Sequence, residues 1–412
     1  MKQASYKSLE NNKCRACNST RLKSIISLGI QYLSDFTTNN RKPKRYPLQL
    51  ILCDNCSLLQ LRHNVPKASL YTERYGYKSG MNFTMQKELK EIAAKALKKL
   101  DTKIQNLLVV DIGANDGTLL SFYPKKVFKV AVEPIKKFRK ESLLKADVVI
   151  NDFFNYKAYS GRMKLKQADI ITAISCFYDM EEPNLFLSDV KKILHPEGIL
   201  IIQQNYLVGM LKQNAFDNIV HEHLEYYSLL SLENLLKQHD LEVFDVEKSD
   251  INGGSFRTYI AYKGKRKISR SVIKMRSQEA RMKLKNIKNY LDFAKRVEVN
   301  KNRLHKFILK LVNDNKKVFI YGASTRGNTL LQYCGLDKSL ISAAVERNSE
   351  KWGKIIASTG IPIISEEQAR KEMPEYMLVL PWFFKQEFLQ REKNYLRSGG
   401  HFIFPLHKFE VV

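Results

Sequence analysis

Short apolar runs that end in polar, glycine-bearing turns recur along this chain, and the segments after them carry apolar residues three and four apart. Runs of that length read as buried strands, and the periodicity after them as amphipathic helices. The sharpest case is Val109-Val110-Asp111-Ile112-Gly113-Ala114-Asn115-Asp116-Gly117-Thr118-Leu119-Leu120, which predicts a strand, a turn and the start of a helix. A second buried strand, Val130-Ala131-Val132-Glu133-Pro134, closes on a carboxylate about twenty residues on, where doubly wound folds place the acid that accepts ribose hydroxyls. Further strands are predicted from Asp169 to Thr172 and from Gly198 to Gln203. Between them, Glu182 to Leu194 has helical spacing and stops at His195-Pro196-Glu197-Gly198. Strand, helix, stop and strand make a right-handed crossover in a parallel sheet.

The same pattern returns at Lys317-Val318-Phe319-Ile320-Tyr321-Gly322-Ala323-Ser324-Thr325-Arg326-Gly327-Asn328-Thr329-Leu330-Leu331. Strand ends at Ala343 to Asn348, Met377 to Trp382 and Gly399 to Pro405 complete a second α/β layer. Residues 83–100 read as a basic amphipathic helix, and residues 263–316, without proline, as a long basic helical connector. The fold class is therefore α/β in three parts: a small N-terminal domain over 1–80, a central Rossmann-like domain over 81–262, and the connector with a C-terminal Rossmann-like domain over 263–412.

Composition narrows the partners. No apolar run reaches eighteen residues and the first dozen residues are polar, so membrane insertion and a secretion signal are not expected; the expected location is cytoplasmic. Lys and Arg number 69 against 42 Asp and Glu, a net charge of +27. Such an excess can attract nucleic acid or a phosphorylated ligand. Here the basic residues are spread along solvated helix faces, and the connector lacks the interleaving of aromatic and basic residues that stacks bases, so no nucleic-acid partner is expected.

Cys14-x-x-Cys17 and Cys53-x-x-Cys56 are two knuckles of the kind that hold a tetrahedral four-thiolate zinc, followed by the similar apolar segments Ser24 to Leu28 and Ser57 to Leu61. With no open ligand position suggested, the metal is structural. Gly113 and Gly117 are four apart, unlike the G-x-G-x-x-G of dinucleotide enzymes, which favours S-adenosylmethionine over NAD. Gly113 lets backbone pass close to the ligand, and Asp111 at the strand end can meet its ammonium group. Tyr71 to Asn82 is rich in tyrosine and small polar residues, and either lies over a ligand or caps the next helix. Phe216 to Ser228 holds two imidazoles, two carboxylates and two phenols in His221-Glu222-His223-Leu224-Glu225-Tyr226-Tyr227, a density that suits proton transfer. His221 and His223, two apart, should face opposite ways, and the H-E-x-x-H metal spacing is absent. Arg257, after Gly253-Gly254, can hold a phosphate or carboxylate.

In this order, the paired C-x-x-C, the tyrosine-rich segment, D-x-G-x-N-D-G-T-L-L, the H-E-H loop, G-G-S-F-R, Y-G-A-S-x-x-G-N-T and V-E-R-N resemble the sugar C-methyltransferases that act on nucleotide-linked keto-deoxysugars. The resemblance implies a zinc domain, a central S-adenosylmethionine domain and a C-terminal domain, with the nucleotide-sugar between the last two. It implies C-methylation through an enolate, serving surface-polysaccharide or glycoside biosynthesis, by a monomer or weak homodimer. The implied base is His223, with Glu222, Tyr75 and Tyr77 beside it. Asp111, Gly113, Asn115, Gly117, Glu133 and Asp152 would bind the cofactor; Asn205, His221, Tyr226, Arg257, Arg326 and Asn328 would bind substrate. Cys14, Cys17, Cys53 and Cys56 would hold zinc. Val220 stands where the family commonly has tyrosine, and Ala173 to Asp179 departs from the usual Asn/His-bearing version, so the sugar and the methylated carbon stay open. Two alternatives from other classes are an RNA-binding zinc protein with a methyltransferase core, and a nicotinamide-dependent sugar enzyme using Gly322 and Gly327.

Overall fold

The computed structural model describes residues 6–39, 41–72, 76–100 and 106–412; Tyr75 lies outside them. Three sheets organise the chain. The central one has seven strands in the order Leu241–Ser249, Ser255–Tyr262, Leu194–Asn205, Ala168–Ile174, Leu108–Ile112, Phe128–Val132 and Val148–Ile150. The five strands from Leu194–Asn205 to Val148–Ile150 run parallel, whereas Ser255–Tyr262 enters antiparallel beside Leu194–Asn205 and Leu241–Ser249 pairs antiparallel with it. Every residue of Leu108–Ile112 is buried, as a parallel strand covered on both faces requires. The helix Pro183–Ile193, with proline in its first turn, buries Phe186, Leu187, Val190 and Ile193 and supplies the predicted crossover.

The C-terminal sheet is parallel through His401–Phe404, Tyr376–Val379, Val318–Tyr321, Ala343–Val345 and Ile361–Ile364. Ahead of it, residues 263–316 form two helices, Arg270–Arg281 and Lys288–Asn313, and are more than a connector. The second buries Tyr290, Phe293, Val297, Leu304, Ile308 and Leu311 along one face, and Phe307, partly buried, packs against the same core.

The N-terminal sheet pairs Leu22–Tyr32, Arg45–Cys53 and Leu59–Leu61 antiparallel, the segment between the knuckles forming its long hairpin. Two exchanges tie the parts together. Glu225–Tyr226, just past the H-E-H loop, pairs with Leu59–Leu61 as the small sheet's fourth strand. In the other direction, Phe36–Thr37 pairs with Ile355–Ile356 at the edge of the C-terminal sheet. Tyr32 and Gln332 add a reciprocal pair, the Tyr32 N–H donating to Gln332 Oε1 (2.8 Å) and Gln332 Nε2 to the Tyr32 carbonyl (3.1 Å). No helix among the described residues is long and apolar enough to cross a membrane.

Candidate active site

The two cysteine knuckles converge. Cys14 and Cys56 Sγ are 3.4 Å apart, Cys17 and Cys53 Sγ 3.6 Å, and all four sulfurs lie within 4.8 Å of one another. Thiolates about 2.3 Å from a tetrahedral zinc stand about 3.8 Å apart, so the donor set and spacing fit that ion. The cluster closes on four sulfurs, as a structural site does, and the Cys56 carbonyl accepts from Asn234 Nδ2 (3.1 Å), which ties this knuckle to the central domain.

At the carboxyl ends of the parallel strands a cavity of about 180 Å³ is lined by Asp111, Gly113, Asn115, Glu133, Ser175 and Cys176, among others. Its floor is the turn predicted first. Gly113 has φ +73°, and a Cβ there would meet Cys176 Sγ at 3.0 Å, so both backbone conformation and space demand glycine. Asp111 is buried and accepts from Thr172 Oγ1 (2.6 Å); burial, against that bond, pushes its carboxyl up to about 7. Glu133 accepts from the N–H groups of Asn115 (2.8 Å) and Ile135 (2.8 Å), bonds that favour its ionised form against the larger effect of burial, which raises its pKa. Asn115 and Asp116 reach outward as well: their side chains accept from the Ser79 and Gly80 N–H groups (3.0 and 3.1 Å), stitching the tyrosine-rich segment to the turn.

A second cavity, about 610 Å³, lies where the three parts meet. Glu222, His223, Asn205 and Arg326 line it, roofed by Asp35, Phe36, Thr37, Arg41 and Lys44 from the hairpin whose Phe36–Thr37 strand reaches the C-terminal sheet. Tyr77, Ser175 and Asp179 line both cavities, so the two adjoin. His223 Nδ1 is 3.0 Å from the Asn218 carbonyl. A carbonyl only accepts, so Nδ1 carries the hydrogen and Nε2 keeps the lone pair. Burial and the Arg326 charge push the imidazole down to about 3. Tyr178 packs edge-on against it, ring centroids 4.5 Å apart. Arg326 in turn donates from Nε to Asp217 (3.0 Å) and from Nη1 to the Asn252 carbonyl (2.6 Å), while Trp382 Nε1 reaches the same carboxylate (3.1 Å).

The other expected residues lie elsewhere. His221 faces away from His223, its Nε2 3.1 Å from the Tyr46 carbonyl, and burial pushes it down to about 4. Tyr226 is buried and donates to the Asn218 carbonyl (3.3 Å), the same oxygen that His223 Nδ1 contacts. Gly117 packs against the Ser142 backbone, where a Cβ would approach to 3.1 Å. Asp152 is exposed and borders neither cavity, although its neighbours Phe153 and Phe154 line the smaller one. Asn328 is bonded to Ser358 inside the C-terminal domain. The structure also does not bring Arg257 to a ligand. It is fully buried in the central sheet, donating to Gln203 (2.8 Å), Glu247 (3.1 Å) and Glu88 (2.7 Å), because the helix Phe83–Lys99 brings a carboxylate over its strand. Ser175, Tyr178, Asp179 and the roof residues Arg41 and Lys44 were not among the expected set. The first three follow a parallel strand, a position that marks ligand sites in such sheets; nothing local marks the roof.

The strand order, the acid-ended second strand and the cavity over the glycine turn define a class I S-adenosylmethionine-dependent methyltransferase. Three family models match successive parts of the chain: a zinc-binding domain at 14–71, a methyltransferase domain at 81–246 and a C-methyltransferase C-terminal domain at 250–407. The C-methyltransferase NovU of Streptomyces niveus is 28% identical over 410 residues, 97% of each chain. Alignments with solved structures include the plantazolicin methyltransferase BpumL (15% identity, 44% of this chain and 86% of that one, TM-score 0.35). Magnesium protoporphyrin IX methyltransferase of Synechocystis PCC 6803 aligns at 13% identity over 46% of this chain and 91% of its own, TM-score 0.35. Along its length the chain is thus similar to C-methyltransferases with a zinc-binding domain, and it is an S-adenosylmethionine-dependent C-methyltransferase.

Proposed function

We propose that the enzyme methylates the carbon beside the ketone of a nucleotide-linked keto-deoxysugar. The observation that carries this reading is His223, an imidazole kept neutral by burial in a large cavity that adjoins the smaller one over the glycine turn. Carbon is a poor nucleophile until it is deprotonated, and a ketone acidifies the neighbouring C–H. His223 Nε2 takes that proton, its Nδ1–H held by Asn218, and the resulting enolate attacks across the junction of the two cavities. S-adenosylmethionine supplies an electrophilic methyl on a sulfonium. Glu133 holds its ribose hydroxyls and Asp111 its ammonium, while Gly113 leaves room for the amino-acid end. Arg41 and Lys44, in a lining that also holds Arg326 and the acids Asp35, Asp179 and Glu222, are the cations that would meet the phosphates of a nucleotide-sugar.

The test is mass spectrometry of the protein incubated with S-adenosylmethionine and a panel of keto-sugar nucleotides, together with solvent deuterium exchange without the methyl donor. One methyl on the sugar, and exchange at the carbon next to the ketone, are expected. Methylation at oxygen or nitrogen, or on none of the panel, overturns the reading.

A further inference from the structure

Asp179 closes the short turn Phe177–Asp179 after the strand Ala168–Ile174. The turn is held in an unusual shape. Ser175 has φ +57°, a left-handed conformation rare outside glycine, and its N–H is fixed to the Gln203 carbonyl (2.8 Å). Residues kept in such conformations cluster at functional sites. The turn makes Asp179, with Tyr77 and Ser175, one of the residues that line both cavities. Among the described residues no hydrogen-bond donor reaches Oδ1, which is buried, although the carboxyl accepts from the Tyr71 hydroxyl. The titratable and charged groups around it are Glu222, Glu225 and Tyr226 from the facing loop, with Cys176 on its own turn and His223 and Arg326 across the large cavity. Burial and the two glutamates raise its pKa well above the carboxylate range. Carboxyls placed together out of water do not all ionise.

We propose that Asp179 is the acid of this site: it keeps its proton and donates a hydrogen bond to the ketone oxygen as that oxygen becomes an enolate. This rests on the keto-sugar reading above. His223 Nε2 takes the proton from carbon and the C–H pair becomes a carbon–carbon double bond. The carbonyl π pair moves to oxygen, where the Asp179 O–H meets it. When carbon attacks, the carbonyl re-forms, the sulfur–methyl bond breaks and its pair stays on sulfur as a neutral thioether. Asp179 ends with its own proton, and His223 releases the other to solvent. Glu222 lines the large cavity alone, whereas Asp179 lines both, as a group beside the ketone must when the adjoining carbon takes a methyl from the smaller one.

The test compares Asp179→Ala with Asp179→Asn by deuterium exchange next to the ketone, which needs no methyl donor, with circular dichroism and zinc content as controls for folding. Removing a donor to a developing oxyanion costs roughly 10²–10³-fold, and the alanine variant should slow exchange by about that factor. The asparagine variant still offers an N–H and should retain more. It should also lose the alkaline decline that the wild type shows as Asp179 ionises. Wild-type exchange in Asp179→Ala overturns the assignment. So does an asparagine variant as slow as alanine with the alkaline decline intact, or unchanged exchange with weakened S-adenosylmethionine binding, which would make Asp179 a cofactor-positioning residue. If the wild type exchanges none of the panel, the keto-sugar reading fails first and this proposal falls with it.

Discussion

His223 shows how one backbone contact selects a chemical state. The Asn218 carbonyl fixes the hydrogen on Nδ1, and burial with Arg326 nearby disfavours the cation. A base works only unprotonated, so activity is lost as pH falls through its pKa. Because that value is lowered from 6.5 to about 3, the acid limb of the rate profile for exchange should fall well below pH 6.5. His223→Ala should keep zinc and cofactor affinity and lose exchange by about 10²–10⁴-fold. His221→Ala, which removes the contact to Tyr46, should be milder in rate and register mainly in thermal stability. In the smaller cavity, Glu133→Ala removes an acceptor for two backbone N–H groups and the acceptor proposed for ribose. A charged hydrogen bond contributes roughly 1.5–3 kcal/mol, so calorimetry should show S-adenosylmethionine affinity falling about ten- to a hundredfold. Gly113→Val should be worse, since the strained φ and the contact with Cys176 distort the turn even before a ligand arrives.

At the scale of elements, the metal knuckles and the base are joined by a strand. Glu225–Tyr226 completes the small sheet two residues after His223, so the sheet that carries the second knuckle also anchors the loop. Cys53→Ser should lose zinc and solubility together, as metal analysis and centrifugation will show. Chelation of the wild type should also slow deuterium exchange, although none of the four cluster cysteines lines either cavity. Exchange at the full rate in zinc-free, folded protein would uncouple the two.

Across the whole molecule, Arg326 joins the C-terminal domain to the loop that leads into the base. Its partner Asp217 is 1% exposed in the side chain, Arg326 itself 14%, and the guanidinium also stacks 4.8 Å over the Phe383 ring. Taking one partner from such a buried pair costs about 3–5 kcal/mol. Arg326→Ala should therefore lower the denaturation midpoint measurably, and raise KM for the sugar nucleotide while leaving S-adenosylmethionine affinity near the wild type. Equal loss of affinity for both ligands would mean that the two cavities are not separable.

How much of this was legible differs from residue to residue. Val109 to Gly113 and Val130 to Glu133 announce a strand–turn pair because burial on both faces and a tight turn are local demands, written as apolar runs and glycine. The cysteine knuckles are equally plain, since four thiolates in two tight turns have few other uses. By contrast, Arg257 in sequence is a cation after a turn. Only the helix Phe83–Lys99, arriving with Glu88, shows that its charge is already met. Arg41 and Lys44 carry no pattern of their own, and become a cavity wall because the hairpin crosses to the C-terminal sheet; Asp179 has the position after a parallel strand to mark it, but lines both cavities only because the loop after Ile174 bends at Ser175. The sequence by itself determined the elements, the metal set and the cofactor turn, which depend on neighbours a few residues away. The tertiary structure alone decided which charges are free for a ligand, because a buried charge is met by whatever distant segment the packing brings to it.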